Sequence, residues 1–213
     1  MRSRILNIKR IIKTFRVAMS LVRHGPLVED GWVKSFLNGQ SIDCNSNPIP
    51  WLTYPAIDFL SLRLPRLELV FEYGSGNGTL WWATKAERVR AVENDAVWYE
   101  RMRKIIPMNV DLYLEDLDAQ SRYEEKILVQ DCQYDVIVID GRRRNKCMIQ
   151  SLKRIKPNGV IVLDNSDRLE YMSGINELAV AGFKQIEFSG FCPIVNFKSQ
   201  TSIFYRDNNI LDI

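Results

Sequence analysis

The spacing of apolar residues changes along the chain, and each change predicts an element. Over residues 5–22, Ile5, Ile8, Ile12, Phe15, Met19, Leu21 and Val22 recur at helical spacing. Lys9, Lys13 and Arg16 lie beside that stripe and Arg10 lies opposite it, which predicts a basic amphipathic helix ended by Gly25-Pro26. A short helix is expected over 28–37 and a polar loop over 38–47. A stiff proline-aromatic stretch follows over 48–55, then a helix over 56–64 stopped by Pro65. From residue 67 the pattern becomes short apolar runs separated by helix-compatible segments. Strands are expected at 67–71, 88–92, 110–114, 134–139, 160–163, 183–188 and 202–205. Helices are expected at 79–86, 96–106, 121–130, 145–155 and 168–181, with Lys156-Pro157-Asn158-Gly159 as a turn after the fourth of these.

Strand-helix alternation predicts an α/β domain: a Rossmann-like, mostly parallel seven-stranded sheet with helices on both faces. The last two strands follow one another closely, so a C-terminal antiparallel strand is expected at the sheet edge. Residues 1–50 read as a basic helical extension and 51–213 as the catalytic-type domain.

The run from Leu67 to Thr79, L-E-L-V-F-E-Y-G-S-G-N-G-T, is the centre of the chain. An apolar strand feeds a glycine turn that opens a helix, which is the first half of a nucleotide-binding βαβ unit. Acids fall at four expected strand ends: Glu72, Glu93, Asp140 and Asp164. In open α/β sheets the ligand crevice lies at those carboxyl ends. Glu93 follows Gly74 by 19 residues, where a carboxylate can accept from both ribose hydroxyls. The turn reads E-x-G-x-G-x-G, with Thr79 where a dinucleotide fold places a third Gly or Ala.

Charge and composition narrow the chemistry. Of the 29 Lys/Arg, seven fall in residues 1–28, which contain no acid; the other 22 face all 26 acids, so residues 29–213 carry a net charge of −4. That sign disfavours a nucleic-acid substrate. Four cysteines without a C-x-x-C pair argue against a zinc site and for free thiols in a reducing cytoplasm. A single histidine, His24, excludes a Ser-His-Asp triad or a multi-histidine metal site. No 18-residue apolar run is present, so no membrane span is expected. Residues 1–24 have three open uses: docking on the domain, pairing in a homodimer, or contact with a membrane surface or nucleic acid.

Over residues 51–206 the chain resembles the class I S-adenosylmethionine-dependent methyltransferases. The likeness rests on Glu72-Tyr73-Gly74-Ser75-Gly76-Asn77-Gly78, Ala91-Val92-Glu93-Asn94-Asp95, Val138-Ile139-Asp140-Gly141-Arg142 and Val162-Leu163-Asp164-Asn165. The I-D-G-R-x-R and L-D-N-S-D-R runs are similar to those of a bacterial group of methyltransferase-like proteins. The resemblance implies S-adenosyl-L-methionine as cofactor. Gly74, Ser75, Gly76, Asn77 and Gly78 would pass beneath its methionine and ribose portions. Glu72 would hold the turn or the methionine amine. Glu93, with Asn94 beside it, would bind the ribose, and Asp140 and Gly141 would lie near the transferred methyl. Glu115 or Asp116 would meet the adenine amine.

Asp140, Asp164 and Asn165 are similar to the Asp…Asp-Asn trio that binds Mg²⁺ in catechol-type O-methyltransferases, and they form a hard-oxygen set. Where that family has a lysine base this chain has Arg143, which stays protonated. Arg143 joins Asp140 and Asp164 as the candidate catalytic residues. The competing reading has Asp164-Asn165 capping the next helix and binding Arg142 or Arg144. The 142–144 run either clamps an anionic group on the acceptor or forms a basic loop with an internal ion pair. Trp51, Tyr54 and Trp98 are candidates for the acceptor pocket or the core. The expected activity is O-methylation of a small molecule or saccharide. The alternatives are an NAD-dependent oxidoreductase and a non-enzymatic membrane-binding module. Glu93→Ala is expected to weaken cofactor binding with little loss of stability.

Overall fold

The computed structural model describes residues 2–118, 120 and 122–213, with side chains described from residue 8 onward. Period-two alternation in the apolar runs builds the sheet. In β4 (Tyr134–Ile139), Val136 and Val138 point to one face and Ile137 and Ile139 to the other, and all four are buried. β1 (Leu67–Tyr73) sends Val70 to the first face and Phe71 and Tyr73 to the second; β5 (Ile155–Asp164) splits Val160 and Val162 from Ile161 and Leu163 in the same way. Strands buried on both sides read as continuous apolar runs because neither face meets water.

β2 (Ala86–Glu93), β3 (Val110–Leu114), β6 (Lys184–Phe191) and β7 (Lys198–Tyr205) complete a seven-stranded sheet in the order β3-β2-β1-β4-β5-β7-β6. The first five strands pair in parallel. β7 runs antiparallel to both β5 and β6. A dinucleotide-binding Rossmann sheet has the order 3-2-1-4-5-6 without such an insertion.

The first face is covered by α4 (Tyr54–Arg63), through Ile57 and Leu60, and by α5 (Asn77–Lys85), through Trp81 and Trp82. The second is covered by α7 (Arg144–Ser151), through Cys147 and Met148, and by α8 (Met172–Val180), through Ile175 and Leu178. α6 (Ala96–Met102) follows β2 and ends before the expected residue 106.

The helix expected over 145–155 likewise ends early, at Ser151, and other local elements differ. Lys156-Pro157-Asn158-Gly159 is a bulge inside β5: Tyr134 pairs with Ile155, but Val136 pairs with Val160. Pro157 has no N–H to lose from the ladder there. The helix expected over 121–130 starts at residue 121, outside the described residues; 122–130 form turns about a short 3-10 helix, Lys126–Leu128. The helix expected over 28–37 is two, α2 (Pro26–Glu29) and α3 (Trp32–Asn38), separated at Gly31. Gly31 has φ +84, and a Cβ there would meet the Asp43 backbone at 2.4 Å. The helix expected over 168–181 begins as a 3-10 turn, Leu169–Tyr171.

The segment read as one extension has two parts. α1 (Arg2–Arg23) projects most of its described side chains into solvent. Residues 32–53 are instead tied to the domain at several points: Trp32 Nε1 donates to Val195 O at 2.7 Å, Thr53 Oγ1 donates to Phe188 O at 3.0 Å, and Ile49 and Leu52 are in the core.

Candidate functional site

A cleft of about 1100 Å³ opens at the carboxyl ends of β1, β2, β4 and β5. Its position follows from the sheet order, since the chain leaves β1 for one side and β4 for the other and the two loops part. Glu72, Gly74, Ser75, Gly76, Asn77, Gly78, Glu93, Asn94, Asp140, Gly141, Asp164 and Asn165 all border it. Arg143 does not.

The glycine turn owes its shape to three different demands. Gly74 has φ +96, a left-handed conformation that disfavours any side chain. A Cβ on Gly78 would approach Glu72 Oε1 at 2.9 Å, so this glycine makes room for the acid behind it. A Cβ on Gly76 would meet nothing within 4 Å, so this position holds open the cleft itself. Thr79 fastens the turn from behind: its hydroxyl donates to Glu72 Oε2 at 2.5 Å and accepts from Gly76 N at 3.0 Å.

Glu93 is almost fully enclosed, at 6% exposure. Oε1 accepts from the Asn94 and Asp95 amides at 2.7 and 3.0 Å. Oε2 accepts from the Ser75 amide at 3.1 Å and the Ser75 hydroxyl at 2.8 Å. All four acceptor positions of a carboxylate are thereby used. The Ser75 hydroxyl is the one partner that can rotate away. Trp98 overhangs this end, its Nε1 donating to Ser75 O at 2.8 Å.

At the other end, Arg144 joins two strand ends. Nη2 donates to Asp140 Oδ1 at 2.9 Å and to Asp140 O at 3.1 Å; Nε donates to Gly141 O at 3.0 Å; Nη1 donates to Asp164 O at 2.5 Å. The Asp164 carboxyl accepts from Thr201 Oγ1 at 3.0 Å. Burial raises Glu72 to about 8, against the Thr79 hydrogen bond. Burial and the neighbouring Asp140 raise Asp164 to about 8. Asp140 is also raised by burial, with Arg144 pulling the other way. The floor is thus acidic, and a cationic ligand would relieve it.

Arg143 has φ 49, and this left-handed residue swings its side chain out of the cleft. Its guanidinium reaches Glu124 Oε2 at 3.1 Å and the carbonyls of Leu117 and Asp118 at 2.8 Å each. Arg143 therefore lies outside the cleft and does not join Asp140 and Asp164 there. The Mg²⁺ reading also lacks support. Arg144 already occupies Asp140 Oδ1, Asn165 Nδ2 donates to Ser199 Oγ at 3.0 Å, and no cluster of three or more His, Cys, Asp or Glu suited to a metal occurs among the described residues.

Glu115 and Asp116 lie outside the cleft lining. Glu115 is engaged with Lys126 Nζ at 3.4 Å and the Arg122 amide at 3.2 Å. Trp51 and Trp98 border the cleft, while Tyr54 is in the core.

Sequence reasoning missed two walls. Ser41 and Pro50 line one side, tied in by Asn77 Nδ2 donating to Ser41 O at 2.7 Å. Ile194, Phe197 and Ser199, between and within β6 and β7, line the other. The Gly190–Pro193 loop was the available signal for the second wall. Nothing local marked the first.

No family model and no curated protein matches the sequence. Solved structures do. A methyltransferase from Pyrococcus furiosus is 18% identical, with a TM-score of 0.53 over 89% of this chain and 99% of that one. The precorrin-6y C5,15-methyltransferase of Geobacter metallireducens is 16% identical, with a TM-score of 0.54 over 79% and 98%. The spermidine synthase of Thermotoga maritima is 14% identical, with a TM-score of 0.54 over 72% of this chain; the match spans 57% of the synthase. At these identities the likeness is one of architecture, and the architecture is the class I S-adenosylmethionine-dependent methyltransferase fold.

Proposed function

We propose that the protein transfers a methyl group from S-adenosyl-L-methionine to a hydroxyl of a small-molecule or saccharide acceptor. The observation that carries this reading is the pairing of an open glycine turn with a carboxylate at the next strand end, both facing one cleft of suitable size. Residues 51–213 form the transferase domain, and residues 39–50 contribute a wall. The free thiols fit a cytoplasmic setting.

When bound, the cofactor supplies an electrophilic methyl on a sulfonium. Glu93 would hold the ribose hydroxyls, the Ser75 hydroxyl being the one partner able to make way for them on Oε2. Gly76 gives the ligand access to the main chain. Glu72 and Asp140 favour the cofactor's positive groups by giving up their protons as those groups approach. Arg142 and Arg168, both exposed at the cleft edge, attract an anionic acceptor. Asp140 keeps one oxygen, Oδ2, clear of Arg144, and about 33% of its side chain is accessible, so it takes the acceptor's proton. Asp164 is more enclosed, and its backbone carbonyl anchors Arg144, which orients Asp140. Trp51 and Phe197 offer apolar surface on the acceptor side.

Calorimetry with S-adenosylhomocysteine and with NAD tests the cofactor. Binding of the first alone is expected; binding of NAD alone refutes the reading. Product mass spectrometry after incubation of extracts with labelled cofactor then identifies the acceptor. Product methylated only on nitrogen or carbon would refute O-methylation.

A further inference from the structure

The N-terminal helix takes no part in the cleft. α1 is 22 residues long, about 33 Å at 1.5 Å per residue, and its principal neighbour is α2. Ile11 and Phe15 are each 65% exposed, and Ile8, Ile12 and Val22 are exposed as well. At 100° per residue, Ile8, Ile11, Ile12, Phe15, Met19 and Val22 fall within one arc of about 100°. Arg23, Arg16 and Lys9 follow along one border of that arc, and Lys13 lies beyond them toward the polar face. A continuous apolar face left open to water marks a docking surface.

Charge decides what docks. Residues 1–28 hold seven Lys/Arg and no acid. Pairing two copies through this face would bring two wholly basic helices together with no carboxylate between them. A nucleic acid would meet the charge but leave the apolar arc uncovered. An anionic lipid surface satisfies both, since its phosphates meet the basic border and its acyl boundary takes the arc.

We propose that α1 lies flat in the headgroup plane of an anionic bilayer, with Ile8, Ile12, Phe15 and Met19 in the acyl boundary and Lys9, Lys13 and Arg16 on the phosphates. It lies on the membrane and does not cross it: no helix among the described residues is long and apolar enough to span one. This anchoring is independent of methyl transfer.

The test is co-sedimentation of the full chain with vesicles of phosphatidylcholine alone and of phosphatidylcholine mixed with phosphatidylglycerol. The protein should sediment with the anionic vesicles only, and added salt should weaken the association. The triple variant K9Q/K13Q/R16Q should lower the partition on the order of 100-fold, from three basic contacts with the leaflet. The variant I12E/F15E should abolish it. Both variants replace exposed side chains, so the thermal midpoint should not move. Absence of binding to anionic vesicles, or equal binding to both vesicle types, overturns the proposal. So does a dimer, seen by light scattering without lipid, that I12E/F15E dissolves, since it would assign the face to a second copy.

Discussion

Arg144 offers the most direct test of how the cleft floor is held. Replacing it with Met keeps most of the apolar bulk and removes four hydrogen bonds, to Asp140 Oδ1 and to the carbonyls of Asp140, Gly141 and Asp164. Breaking a buried ion pair from one side costs about 3–5 kcal/mol. Asp140 is partly accessible and can recover some hydration, so about 3 kcal/mol is expected. For a chain of this size that corresponds to a fall of about 6–12 °C in thermal midpoint. Arg144→Lys keeps the charge but not the fork, and should recover about half of the loss. Without the guanidinium, Asp140 is pushed further upward and is neutral at lower pH. The deficit should therefore be larger at about pH 8 than at about pH 5. Urea denaturation of the three proteins at both pH values measures this. A loss below about 1 kcal/mol, typical of an exposed pair, would refute the view that Arg144 fastens β4 to β5.

Gly76→Ala and Gly141→Ala should separate binding from folding. The first adds a methyl to open space at an extended φ of 169° and should leave stability intact while weakening S-adenosylhomocysteine at least about tenfold, read by calorimetry. The second places a Cβ 2.0 Å from Tyr123 Oη and should cost about 1–3 kcal/mol in denaturation. Glu93→Ala strips four hydrogen-bond donors of their acceptor, so it should lower stability by about 2–3 kcal/mol as well as cofactor affinity; unchanged affinity would remove it from the ribose site. Glu72 and Asp164, both raised to about 8, keep protons in the folded state that they lose when unfolded. Stability of the ligand-free protein should fall as pH rises from about 5 to about 8, and Glu72→Gln should flatten that slope; a midpoint that climbs over this range would contradict the assignment. Over the same window, affinity for the sulfonium should gain more from rising pH than affinity for the neutral thioether, as parallel titrations would show.

The parts of the fold that were legible had one physical cause each. The V-I-V-I of β4 could be read because both faces are buried and each residue type serves one face. Lys156-Pro157-Asn158-Gly159 looked like a turn, since proline and glycine punctuate turns more often than strands; only the pairing with β4 shows the bulge. The glycines of the turn and the acids at strand ends were visible as residue types. Their partners were not. Glu93 was read as waiting for a ribose, yet it is already committed to Ser75, Asn94 and Asp95. Arg143 and Arg144 are adjacent and identical, and a single left-handed φ at Arg143 sends one outward and the other into the floor. No spacing rule distinguishes them. The wall formed by Ser41 and Pro50 depends on a contact across 36 residues, from Asn77 to Ser41, which leaves no local trace.

That reach from Asn77 to Ser41 bears on how the protein can be dissected. A minimal fragment cut at the first strand would keep the base of the cavity and lose one of its sides, exposing the ligand's flank to solvent. Grafting this sheet onto another leader would do the same. Residues 32–53 and the sheet are therefore a single module for engineering, and a swap that respects that boundary should carry the specificity with it.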